Sequence, residues 1–396
     1  MRWTQSTIGE HCTVTSSKRF HLSERSDKGV PFYCSKEIIQ KCKGEEVTEC
    51  DYIREEFYAE VAEKFGVPQE NDLLVTTRGT IGIPYLYRDT DRFYFADGNL
   101  TWMKDFKETL LPQYLYYWFL THEGQGKFDA IAKGTAQKAV PIAGIKTLEI
   151  SLPPVDAQCR IVDTLSAYDD LIENNQKQIK LLEEAAQRLY KEWFVDLRFP
   201  GHETTLIVDG VPEGWREQSL YQIADVVMGQ SPKSEYYNKV GEGLPFHQGV
   251  GSYGNRFVSD VTYSTSFTRI AEAGSILFSV RAPVGRLNLT KNKVVIGRGL
   301  AAINHRRGAQ SYLFYLLKEK FFRDDIIGNG SIFASISKEE LLNQKFLIPI
   351  DSLVGQFNGI AGGIDKKIDI LSEQIRLLTE ARDRLLPKLM SGEIEV

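Results

Sequence analysis

Two arginines in this 396-residue chain, Arg78 and Arg281, end matching stretches. Leu73-Leu74-Val75-Thr76-Thr77-Arg78-Gly79-Thr80-Ile81-Gly82 is answered by Ile276-Leu277-Phe278-Ser279-Val280-Arg281-Ala282-Pro283-Val284-Gly285. In each, an apolar run of strand type carries the guanidinium to a Gly or Pro turn. Its planar fork of N–H donors fits the O6/N7 edge of guanine or a phosphate. The plainer role is a scaffold arginine paired to a carboxylate of its own domain. Repetition favours scaffold or backbone contact over base choice, because two readers of different sequences would not share a base-reading residue.

Other polar residues sit in loops of the same character. Lys133, Thr135, Gln137 and Lys138 surround Gly134-Thr135, and Asn329, Ser331 and Ser335 surround the matching Gly330-Ser331. Gly-Ser/Thr loops let backbone amides approach phosphates, and glutamine pairs with adenine. Ser17-Lys18-Arg19 is matched by Gln230-Ser231-Pro232-Lys233. His247-Gln248-Gly249, Ser252-Tyr253 and Asn255-Arg256 set an amide, an aromatic ring and an arginine among glycines. Solvated turns are the ordinary alternative, yet variable polar loops on a repeated scaffold are where specificity resides. If these loops meet nucleic acid, the candidate contacts are Lys18, Arg19, Arg78, Lys133, Thr135, Gln137, Lys138, Gln230, Lys233, Gln248, Ser252, Tyr253, Arg256, Arg281 and Ser331.

Catalytic signatures are missing. No G-x-x-x-x-G-K-[ST] loop, H-E-x-x-H pair or G-x-S-x-G elbow is present. Gly249, Gly251 and Gly254 match G-x-G-x-x-G, but Asn255 to Ser259 reads as a strand, not the helix a dinucleotide needs. An adenine methyltransferase needs Asn/Asp-Pro-Pro-aromatic; Pro153-Pro154 lies between Leu152 and Val155. The six histidines suggest neither metal site nor triad. The chain reads as non-catalytic, with no cofactor of its own.

The net charge of −5 argues against coating nucleic acid by charge alone, while leaving local basic loops open. Five cysteines without C-x-x-C spacing, no bilayer-length apolar run and no apolar core after Met1 lead us to expect a cytoplasmic protein with reduced thiols.

Two long helices must position these loops. Leu165, Tyr168, Ile172, Asn175, Ile179, Leu182, Ala186, Leu189 and Trp193 step alternately by three and four, the spacing of a coiled-coil seam. Ala361, Ile364, Ile368, Leu371, Ile375, Leu378, Arg382, Leu385 and Leu389 repeat it 196 positions later. The first helix is expected from Asp156 to about Leu197; Pro387 should mark a kink or a frayed last turn of the second. Asn175 reads as a register-setting amide, and Trp193, Phe194, Leu385 and Leu389 as anchors for a partner subunit. The fold expected is α+β with a pseudo-twofold internal repeat: two similar mixed α/β units with irregular β-rich sheets, joined by an intramolecular antiparallel coiled coil. The segments are 1–153, 154–200, 201–349 and 350–396.

Several stretches carry a resemblance. Leu152-Pro153-Pro154-Val155-Asp156-Ala157-Gln158-Cys159-Arg160-Ile161-Val162, running on to Tyr168-Asp169-Asp170-Leu171-Ile172-Glu173-Asn174-Asn175, resembles the central region of type I restriction-modification specificity subunits. So do Leu189 to Asp196, Pro212-Glu213-Gly214-Trp215 and Leu385 to Gly392. The first domain lacks Pro-Glu-Gly before Trp3, and the second spacer has Val354-Gly355-Gln356 where the first has Asp156-Ala157-Gln158. The resemblance implies two target-recognition domains, each reading one half of a split, asymmetric double-stranded DNA target. It implies two modification subunits that methylate adenine with S-adenosylmethionine, and restriction subunits that use ATP and Mg. A helix of about forty residues spans ~60 Å at ~1.5 Å per residue, enough to set two readers one to two DNA turns of ~34 Å apart. Two other readings remain open: a related system with one fused methylase-nuclease partner, and a coiled-coil scaffold that never touches DNA.

Overall fold

The computed structural model describes residues 3–21, 24–134, 138–321 and 335–395. The chain divides into two compact units, Met1–Gln176 with Glu373–Val396, and Lys177–Ser372. The boundary cuts both long helices, Val155–Phe194 and Asp351–Ser391, so each unit owns half of each.

In the first unit the strands are β1 (Thr4–Thr7), β2 (Thr13–Thr15), β3 (Arg25–Ser26), β4 (Val30–Tyr33), β5 (Asp51–Ile53), β6 (Leu73–Thr76), β7 (Pro84–Leu86), β8 (Tyr94–Phe95), β9 (Leu100–Lys104) and β10 (Glu149–Leu152). They form sheets ordered β2-β9-β6-β7, β3-β5-β4-β8 and β1-β10. In the second unit they are β11 (Ile207–Val208), β12 (Val211–Pro212), β13 (Arg216–Ser219), β14 (Ala224–Met228), β15 (Tyr237–Asn238), β16 (Leu244–His247), β17 (Tyr263–Ser264), β18 (Ile270–Ala271), β19 (Ile276–Ser279), β20 (Leu287–Leu289), β21 (Val294–Ile296), β22 (Leu300–His305) and β23 (Lys345–Ile348). Their sheets run β14-β22-β19-β20, β15-β17-β16-β21-β18 and β13-β23, with β11-β12 apart. Strand for strand the first three repeat the first unit, including the parallel pairs β4·β8 and β16·β21, with β18 added.

β6 and β19 each open with three consecutive apolar residues and are buried along their whole length, as suits a central strand covered on both faces. Leu73 and Val75 face one core while Leu74 faces another. Likewise Ile276 and Phe278 face one core and Leu277 another. Successive side chains alternate across a strand, so one short run seals two layers. A tyrosine-rich helix, Pro112–Leu120 in the first unit and Gln310–Phe321 in the second, packs on one of those faces.

Every seam position is buried or half-buried. In the first unit Arg382 pairs with Asp169, and the Asn175 amide donates to Gln374 Oε1 at 3.4 Å. As one number rises the other falls, which is antiparallel pairing. In the second unit Tyr190 and Trp193 pack against Phe357 in the same sense. The helix expected to reach Leu197 ends at Phe194, and Leu197 turns the chain at φ 58°. Pro387 sits inside the second helix about one turn before its end, so it removes a single helical N–H donor and the helix runs on to Ser391. No described helix is long and apolar enough to cross a membrane.

The Tyr117 hydroxyl donates to Asp169 at 2.7 Å, and burial pushes that tyrosine's ionisation upward. Arg382→Ala should leave Asp169 with this one neutral donor. The side chains are 23% and 30% exposed, between a surface pair and a buried one, so the loss is expected at about 1–3 kcal/mol. Urea unfolding checks this; an unchanged midpoint would mean that solvent already screens the pair.

Candidate nucleic-acid interface

Arg78 and Arg281 occupy equivalent places in the folded units. Thr77 N–H donates to Asn99 O at 2.8 Å, and Val280 N–H to Gly299 O at 2.9 Å. Val140 N–H then bonds Thr77 O at 3.0 Å, and Ile336 N–H bonds Val280 O at 2.9 Å. These bonds hold Arg78 against Ala139 and Arg281 against Ser335. Each arginine thus lies beside the loop that precedes its long helix, as loops expected to share one surface must. Both side chains are exposed and make no ion pair among the described residues.

In the first unit the Lys133–Ala139 loop is closed by paired backbone bonds of 2.8 and 2.9 Å. Lys133 and Lys138 are exposed, the latter 3.0 Å from Asp129. Thr135 and Gln137 lie outside the described residues, as do Asn329 and Ser331 of the second unit. Arg19 is exposed. Lys18 is half-buried, its Nζ 5.0 Å above the Phe57 ring and 5.2 Å from that of Phe65, so its charge is held by aromatic faces.

The second unit gathers more of its expected residues. Gln230 and Gln248 are exposed, as is Lys233, whose ion pair to Glu235 is long at 3.9 Å. Gln248, Arg281 and Arg298 line one recess of about 150 Å³ with Gly249, Ser279 and Gly299. Arg298 lacks a sequence counterpart, which is why repetition did not point to it. Ser252 turns inward, its hydroxyl 2.9 Å from Nδ1 of buried His247, whose Nε2 lies 3.0 Å from Asp260. Tyr253 is half-buried, and burial pushes its hydroxyl's ionisation upward. Residues 255–259, expected as a strand, form isolated bridges at Val258 and Phe257 instead.

Arg256, expected on DNA, is 4% exposed. Its guanidinium lies 3.9 Å from the Phe314 ring centre, pairs with Asp365, and stands 3.7 Å from Glu183. Burial holds the Glu183 carboxyl above the usual carboxylate range despite that attraction. Asp365 lies 196 positions after Asp169, but Ala186 stands where Arg382 would recur. The second unit supplies its cation from the loop between β16 and β17 instead. That gap in the repeat was the signal available in the sequence.

The expected docking anchors are core residues. Trp193 is 8% exposed and stacks with Phe194 and Phe357; Phe194 also meets Trp215 and Tyr312. Leu389 is 1% exposed, and Leu385 packs on the same core. The apolar residues open to solvent lie off the seam, among them Leu181 at 65% and Leu377 at 50%, again 196 positions apart. Among the described residues no group of three His, Cys, Asp or Glu could hold a metal ion.

Residues 1–184 and 212–374 match the family described as type I restriction modification DNA specificity domain. A chain of Methanocaldococcus jannaschii provisionally named the type I restriction enzyme MjaX specificity subunit is 33% identical over 80% of this chain and 76% of its own. The type I restriction enzyme HindI specificity subunit of Haemophilus influenzae is 22% identical over 78% and 83%. In fold, the chain is similar to the crystal structure of a type I restriction-modification S subunit from M. genitalium, with a TM-score of 0.62, 19% identity and coverage of 98% and 96%.

Arg256→Met keeps the apolar contacts but strands two carboxylates. Removing one partner of a buried pair costs about 3–5 kcal/mol. Hydrogen exchange should show protection lost in residues 177–372 and kept in the first unit, with Arg256→Met/Asp365→Asn recovering part. Unchanged protection would mean that Arg256 does not stabilise the fold.

Proposed function

The chain belongs to the type I restriction-modification DNA specificity family, and from that premise we propose that it selects the DNA sequence for a multisubunit complex and catalyses nothing itself. Each unit reads one half of a split, asymmetric target. The observation that carries this reading is the duplication: two units with the same strand order, each presenting an exposed arginine at the same place, bridged to Ala139 in one and to Ser335 in the other. A shared scaffold with diverged loops suits two readers of different half-sites. Among the described residues Arg19, Arg78, Lys133, Gln230, Lys233, Gln248 and Arg281 remain the open DNA contacts.

Two modification subunits dock on the long helices and methylate adenine N6, holding the S-adenosylmethionine themselves. ATP and Mg belong to restriction subunits that join for cleavage. The repeated outward leucines Leu181 and Leu377 suit two copies of one partner better than the buried anchors do. Both long helices run through both units, and on this reading their length is the ruler for the spacing between half-sites.

Two outcomes test this. Adding one heptad to each long helix where the units divide lengthens it by ~10 Å at ~1.5 Å per residue. The methylated motif should gain about three base pairs of spacer, at ~3.4 Å each, with both half-sites unchanged. Altered half-site bases would refute the ruler. Separately, Leu181→Glu and Leu377→Glu should each weaken capture of one modification subunit by about tenfold or more, in the range of an interface hot spot. Analytical ultracentrifugation reads the stoichiometry; full binding by the double variant would place docking elsewhere.

A further inference from the structure

Arg298 stands where the Gln230–Lys233 loop, the Gln248-Gly249 segment and the Arg281 turn of the second unit meet, and the first unit has no arginine there. It lies between Gly297 and Gly299, in the turn joining β21 to β22. Gly297 N–H donates to His247 O at 2.8 Å and Gly299 N–H to Gln248 O at 3.2 Å. Arg298 N–H donates to Ser231 Oγ at 3.2 Å. A Cβ on Gly299 would sit 2.4 Å from Gln248 O, and one on Gly297 2.9 Å from Gln248 Cα. Both glycines are therefore obligatory, and residue 298 alone can carry a side chain out of this turn. That side chain is exposed, makes no ion pair among the described residues, and shares its recess with Gln248 and Arg281.

The first unit closes the same place with a turn one residue longer and of opposite charge. Ala96 N–H donates to Tyr33 O at 2.9 Å, and Asn99 O accepts from Thr77, so Asp97-Gly98 fill the place of Arg298. Contacts common to two readers are sequence-independent, and those that differ carry the choice of bases. Arg281 is common and Arg298 is not. Resting on the proposed DNA-reading function, we propose that Arg298 reads a guanine in the half-site of the second unit, through O6 and N7 in the major groove, while Arg281 holds the neighbouring phosphate.

The test uses the full chain with its modification partner and maps N6-methyladenine for the unaltered chain, Arg298→Lys, Arg298→Ala and Arg281→Ala. A bidentate arginine–guanine contact is worth roughly 10- to 100-fold in discrimination. Both Arg298 variants should relax one guanine by that factor in one half-site and leave the other half as it was, which also shows that the complex still folds. Arg281→Ala should lower methylation at all sites alike. Uniform loss in both Arg298 variants with full selectivity kept would mean a phosphate contact and overturn the proposal. So would an unchanged motif in Arg298→Ala, relaxation at a pair other than G·C, or an unaltered motif lacking guanine. Absence of any chain-dependent motif would instead sink the DNA-reading function, and this proposal with it.

Discussion

Each long helix carries an apolar seam that is unfavourable to leave in water, and the burial of one seam against the other is the constraint on which the rest depends. Their seam residues repeat with one period and are all removed from solvent to some degree. Each unit then builds its sheets on its own share of that pair. Leu165, Leu386 and Leu389 belong to the core of the first unit, and Ala186, Tyr190 and Phe357 to that of the second. Polar intrusions into the seam must be answered locally. Asp169 is met by Arg382 across the helix pair, whereas Asp365 is met by Arg256 from a loop. One electrostatic demand, repeated by duplication, thus has two solutions. The second ties the loop between β16 and β17 to the helix.

Duplication explains what the units share and where they part. Central strands, crossing sheets and the arginine at the strand end recur because they rest on the same backbone bonds. The turn after β8 or β21 departs because its side chain faces solvent and owes nothing to the core. A surface turn whose flanking backbone bonds recur can change its chemistry, and here its length by one residue, while the sheets on either side stay the same.

Much of this was legible in the sequence. The seam and the antiparallel pairing follow from a periodicity that needs no tertiary information, and the equivalence of Arg78 with Arg281 follows from two runs of similar pattern. Exposure was harder to read. Arg256 resembles a DNA contact in sequence because an arginine among glycines and aromatics is polar and flexible, but the carboxylates that capture it lie over a hundred residues away at Asp365 and over seventy at Glu183. Trp193 and Phe194 resemble an anchor because the rings that cover them, Phe357 and Trp215, come from other elements. Arg298 escaped notice for the opposite reason: a search by repetition cannot find the residue that differs.

The central claim is that this chain chooses where adenine is methylated. The direct measurement is a genome-wide map of N6-methyladenine in cells carrying the chain and its modification partner, and in cells lacking only the chain. The account predicts one split, asymmetric motif, fully methylated in the first and lost in the second. An identical map in both, with the partner shown to be active, would contradict it and favour a scaffold that assembles partners without reading DNA.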